Sequence, residues 1–233
     1  INASSPGNVP LQSSLAQLLF QSGRRDEGFA VLQEMAKSNN GRSQASDMWY
    51  QQIKDQPASS ASVTALQQYL SVFSDGDNVT AARAQLEAQQ KQLADPAFRA
   101  KAEGLAAVDA GQGSKAVTEL QKAVSANHAD SEAVGALGQA YSQKGDRARA
   151  VAQFEKAIAL DPQSDNRGKW DSLLKVNRYW LLIQQGDNAL KANNTAQAER
   201  YYQQARNIDN TDSYAVLGLG DAAAARKDND AAE

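Results

Sequence analysis

The chain has 233 residues, 42% of them apolar and only 6% aromatic, so a core must be built from small side chains. A net charge of −3 argues against the clustered basic surface that nucleic acid demands. With no cysteine and one histidine, disulfides, cysteine-ligated zinc, thiol nucleophiles and any site needing two imidazoles are excluded. No apolar run approaches the roughly 20 residues of a membrane-spanning helix, so no direct membrane insertion is expected. No charged, apolar and small leader pattern appears at Ile1.

In chain order, a helical hairpin is expected over residues 9–42, carrying Leu15-Ala16, Leu19, Gly23, Gly28, Leu32 and Met35. Residues 43–76 read as a degenerate hairpin: Trp49, Tyr50 and Ile53 on one helix, a break at Pro57, then Val63, Leu66, Tyr69, Leu70 and Phe73. Residues 77–94 hold one more helical pattern, with a narrow stripe (Val79, Ala82, Leu86, Leu93) that Gln89-Gln90 interrupt. This helix has no antiparallel partner in the scheme and is expected to act as a joint that flexes. Residues 97–130 then place Gly104, Ala107, Gly111, Ala116, Leu120 and Ala123 at positions 8, 11, 15, 20, 24 and 27 of a 34-residue unit. The unit 131–164 repeats them 34 residues later as Gly138, Tyr141, Gly145, Ala150, Phe154 and Ala157, ending on Pro162. An insertion at about 165–178 precedes a third such copy with Gly186, Ala189, Ala198, Tyr202 and Ala205, and one long helix is expected over 169–191. A last copy starts at residue 213 with Leu219-Gly220 and Ala232, and is expected to stop inside its second helix.

A 34-residue period with small residues at 8, 20 and 27 is the tetratricopeptide pattern. Small side chains there let the two helices approach toward the lower end of the usual ~8–10 Å spacing, while residues 7, 11 and 24 fill the wedge beside them. The fold class predicted is all-α: a right-handed superhelix of about six helix pairs, interrupted by one unpaired helix.

Phosphate-loop, dinucleotide and zincin motifs are absent. Asp75-Gly76-Asp77-Asn78 faintly resembles a calcium loop, but Thr80 stands where glycine is required and Leu86 where glutamate is, so helix-capping turns are the reading. His128 is expected as a turn residue between units, and Asp26-Glu27 as charge on a solvated face. No catalytic, cofactor or metal residues are assigned, and the chain is expected not to be an enzyme.

In this repeat, first-helix positions 2, 5, 6, 9, 12 and 13 line the concave face. Phe98, Leu105 and Val108 fall there, as do Trp180, Ile183, Leu190, Tyr214 and Leu217, which makes them candidate partner-binding residues. The competing reading is that Trp170 and Trp180 simply cover the junction made by the insertion. The chaperone-peptide clamp needs lysine at position 5 and asparagine at 9; only Lys101 matches, with Leu105 at the second place.

Residues 24–32 (RRDEGFAVL), 90–99 (QKQLADPAFR), 137–147 (LGQAYSQKGDR), 172–181 (SLLKVNRYWL) and 211–220 (TDSYAVLGLG) go beyond the generic repeat. Together they resemble the enterobacterial branch of the cellulose synthase operon protein C family. That resemblance implies a piece of a periplasmic repeat region that lies between a secretory leader and an outer-membrane barrel. It implies a non-catalytic scaffold linking the inner-membrane synthase to the export channel, with other synthase subunits and the barrel of the same polypeptide as partners. Glucan and peptidoglycan are further candidate partners, and a direct glucan-binding guide is the alternative function.

Overall fold

The computed structural model describes residues 8–232, and among these it contains twelve α-helices and no β-strand. Helices α1 (Val9–Gln21) and α2 (Arg25–Met35) form one hairpin, α3 (Arg42–Ile53) and α4 (Ser60–Val72) a second, and α5 (Asp77–Leu93) follows. Then come α6 (Pro96–Asp109) with α7 (Gly113–Ala126), α8 (Ser131–Gln143) with α9 (Arg147–Leu160), and α10 (Arg167–Lys191) with α11 (Thr195–Ile208). The last is α12 (Ser213–Ala232). The chain divides into two compact units, Ile1–Ala102 and Glu103–Glu233, a boundary that falls inside α6.

Four hairpins use one turn. Gly23 (φ 77°), Gly111 (70°), Gly145 (77°) and Asn193 (60°) all adopt the left-handed conformation at position 15. Their N–H groups donate to Phe20, Val108, Ser142 and Leu190, and the next N–H in each case donates to Leu19, Ala107, Tyr141 and Ala189. This paired pattern satisfies two carbonyls that the helix end would otherwise leave orphaned. The following residue then starts the second helix, where Asp146 and Asn194 accept from the N–H groups of Arg149 and Gln197. Gly145→Ala is expected to cost about 1 kcal/mol although a Cβ there meets nothing within 4 Å, because the penalty lies in the backbone. Thermal unfolding of the variant checks this cost.

In the second unit, each first helix presses a bare backbone onto a large side chain at position 24. A Cβ on Gly104 would lie 2.5 Å from Leu120 Cγ, one on Gly138 3.0 Å from Phe154 Cδ1, and one on Gly186 2.6 Å from Tyr202 Cε1. Ala116, Ala150 and Ala198 are fully buried opposite them. Pro162 follows the end of α9, where its carbonyl accepts from Arg167 Nη1 at 3.2 Å. Trp170, inside the insertion, is buried to 3% exposure against α8. A Cβ on Gly135 would sit 2.2 Å from its indole nitrogen.

The segment 77–94 is helical as expected, and α5 packs on α4 and α3, with Val79 and Ala82 in the core of the first unit. Gln85 Nε2 donates to the Lys54 carbonyl at 2.9 Å and Gln89 Nε2 to that of Gln56 at 3.3 Å. These two amides thus satisfy carbonyls just beyond the end of α3. The last copy differs, since α12 runs unbroken to Ala232 where a turn and second helix were expected. Position 15 there is Lys227, in place of the glycine or asparagine that reverses the chain in the other copies. Gly220, expected to face a second helix, has nothing within 4 Å of its Cβ site; Gly218 instead lies 2.5 Å from the Tyr202 ring.

Candidate protein-interaction surface

The structure separates the candidate residues into three groups. Val108 (4% exposed) and Ile183 (5%) are core residues of the second unit, so neither offers a surface. Val108 is covered because α8 packs on α7 beside it and sends Gln143 Nε2 to its carbonyl at 2.8 Å. Ile183 is covered because α12 approaches α10 through the small side chain of Ala215. Leu105 and Leu190 are half-buried against the same cores. Phe98, on α6, is 38% exposed.

Trp180 and Tyr214 do come together. The Trp180 ring lies edge-on to Tyr179 at 5.1 Å and to Tyr214 at 5.2 Å between centroids. Tyr214 is 58% exposed and Leu217, one turn further along α12, is 63% exposed. Val176, one turn before Trp180 on α10, is 49% exposed and shares that face by helical spacing. Sequence reasoning missed Val176 because it lies in the insertion, outside the repeat register. The result is an apolar patch built on two helices, with aromatic rings at its centre.

Its base is rigid. Asp212 Oδ1 accepts both the Tyr179 hydroxyl at 2.7 Å and the Tyr214 backbone N–H at 2.9 Å. Burial, reinforced by the bond to Asp212, pushes the Tyr179 phenol up to about 12. Tyr202, buried and donating to Asp187 at 2.6 Å, moves in the same direction, as does buried Tyr69. Phenols in the unfolded chain ionise near pH 10. A folded phenol with a raised pKa therefore contributes stability in full below about pH 10 and loses it as pH climbs toward 12. Tyr69, Tyr179 and Tyr202 are thus expected to ionise at higher pH in the folded chain than in urea when phenolate formation is followed by ultraviolet absorbance.

Trp170 and Tyr179 have structural roles: the indole fills the space over Gly135, and the phenol ties α10 to the start of α12. Gly76, at φ 101°, starts α5 beside Asp75 and Asp77, and Asp47 Oδ1 accepts from Asn78 at 2.7 Å. Among the described residues no group of three or more His, Asp or Glu is arranged to hold a metal ion, and no helix is long and apolar enough to cross a membrane.

The tetratricopeptide repeat family model matches residues 101–165 and 183–233. Cellulose synthase operon protein C of Escherichia coli is 73% identical over 94% of this chain and 19% of its own length. The Salmonella typhimurium protein of that name is 76% identical over the same shares, and the Xanthomonas axonopodis one 30% identical over 97% of this chain and 15% of its own. Among solved structures, the flexible tandem repeat domain of a bacterial cellulose synthase subunit is 63% identical with a TM-score of 0.37, covering 39% of this chain and 37% of that one. MamA from Desulfovibrio magneticus is 17% identical with a TM-score of 0.31, over 89% of this chain and 98% of its own.

By fold the chain is an all-α tetratricopeptide-repeat protein. By sequence it belongs to the cellulose synthase operon protein C family, and it spans about a fifth of the length of its Escherichia coli and Salmonella relatives.

Proposed function

We propose that this chain is a non-catalytic scaffold in the machinery that makes and exports cellulose, binding other synthase subunits through the Trp180–Tyr214–Leu217 patch. In this reading it lies in the periplasm and spans between an inner-membrane synthase and an outer-membrane export channel. What carries the proposal is an apolar, ring-centred patch held on a rigid base in a repeat fold whose habitual work is protein recognition. The family's name supplies the process. Tyr214→Ala with Leu217→Asp should lower stability by only about 1 kcal/mol, the worth of the Trp180–Tyr214 ring contact, since both side chains are exposed. It should also abolish co-purification of the other synthase subunits with the full-length protein. Undiminished co-purification would remove the patch from the proposal.

A second reading is a guide that touches the exported glucan directly, favoured by the open ring of Tyr214 beside half-buried Trp180. Retention of the chain on insoluble cellulose is the result expected of a guide, and free passage rules it out. A scaffold alone passes through.

A further inference from the structure

We infer that the Trp180–Tyr214 patch receives an arginine-bearing segment of a partner protein, with an apolar side chain on the rings and the guanidinium at Asp187 and Asp221. The inference rests on the scaffold reading above and adds the chemistry of what the patch takes.

Helices α10 and α12 pack together and repeat one pattern. Trp180 and Tyr214 hold position 2 of their units, and Asp187 and Asp221 hold position 9. On each helix the carboxylate therefore follows the ring by two turns on the same face, about 10 Å along the axis. Both carboxylates lie by Tyr202, whose ring is wedged between Gly186, next to Asp187, and Gly218, one turn before Asp221. The Tyr202 hydroxyl donates to Asp187 Oδ1 at 2.6 Å. Burial first, and then the charges of Asp187 and Asp221, hold that phenol above its usual range.

Asp187 and Asp221 are exposed, and neither forms an ion pair with a described residue. At the other end of the rings, Asp209 and Asp212 stand just before α12, where they accept the backbone N–H groups of Thr211 and Tyr214. Lys191, one turn past Asp187, and Lys175, which acts on Asp209, answer part of this charge. Arg226 is taken by Glu199 at 2.8 Å. Four carboxylates thus flank the ring pair against two lysines.

This chemistry selects its ligand. Carboxylates in surplus attract a cationic segment and repel an acidic one. Arginine fits better than lysine, because its planar fork of donors bonds two carboxylates at once. The open side of Tyr214, 58% exposed, takes an apolar neighbour of that arginine.

The test uses the full-length protein and fluorescein-labelled peptides in which leucine alternates with arginine, lysine or glutamate, followed by fluorescence anisotropy. The arginine peptide is expected to bind saturably and more tightly than the lysine one, and the glutamate peptide to give no signal. Asp187→Asn with Asp221→Asn should raise the Kd of the arginine peptide at least about fivefold, the worth of two surface charge pairs. Asparagine keeps an acceptor for the Tyr202 hydroxyl, so the melting temperature should hold. An arginine peptide that binds the asparagine variant as well as the parent, or a glutamate peptide that binds equally, overturns the inference. The scaffold reading survives that result if Tyr214→Ala with Leu217→Asp still releases the other synthase subunits, and falls with it if they stay. Absence of any peptide binding also overturns the inference. A steep loss of melting temperature in Tyr214→Ala would then assign the patch to another part of the same polypeptide.

Discussion

Gly135→Leu is expected to destabilise the second unit by about 3 kcal/mol or more, at or beyond the upper end of the usual cost of overpacking. Even one carbon at residue 135 would stand 2.2 Å from Trp170 Nε1 and 2.3 Å from Cε2. The obstacle is the middle of an indole that is 3% exposed, so no flexible side-chain tip can swing aside. Relief requires α10 to back away from α8, opening the core that Val134, Leu137 and Leu174 share with that ring. Gly138→Leu acts by the same mechanism on Phe154, where the first carbon is 3.0 Å from two ring atoms, and should cost about 1–3 kcal/mol. Denaturant unfolding of both variants measures the order. A Gly135 variant with an unchanged midpoint would contradict the packing of α10 on α8.

Tyr202→Ala should cost about 3–5 kcal/mol, the range for truncating a large buried ring. The Tyr202 ring is 1% exposed and wedged against two glycines, Gly186 of α10 and Gly218 of α12, with Cε1 at 2.6 and 2.5 Å from their Cβ sites. Neither backbone bears a side chain that can fall into the void. Tyr202→Phe keeps the wedge and removes only the hydroxyl given to Asp187, so a loss of about 1 kcal/mol is expected. Calorimetry on the pair separates packing from hydrogen bonding. Equal losses would assign the energy to the Asp187 bond.

The contrast between Gly138 and Gly135 shows how far spacing can be read. Gly138 was legible because it recurs at position 8 with Gly104 and Gly186, each facing the bulky residue at position 24. Gly135 was not, because its partner Trp170 lies in a segment that breaks the period. The left-handed Asn193 was missed in the same way: asparagine tolerates that backbone but does not announce it. Burial of Gln89 was hidden because a polar residue on an apolar stripe reads as an interruption until a neighbouring carbonyl is known to need it.

The candidate surface was legible in part. Concave-face positions pick out residues by angle around one helix, and whether another helix covers that angle depends on its neighbours. For Val108 and Ile183 that angle is closed by α8 and α12. Val176 has the exposure and the face but no place in the 34-residue register.

Similar modules strung together risk stacking in the wrong sequence. The residue that lies beneath the indole has counterparts in the other copies: Ser13, Lys101, Ile183 and Leu217. Every one of these carries a Cβ where the contact with Trp170 leaves room for none. One ring and one missing carbon thereby set the helix carrying Gly135 apart from its counterparts as the seat of α10.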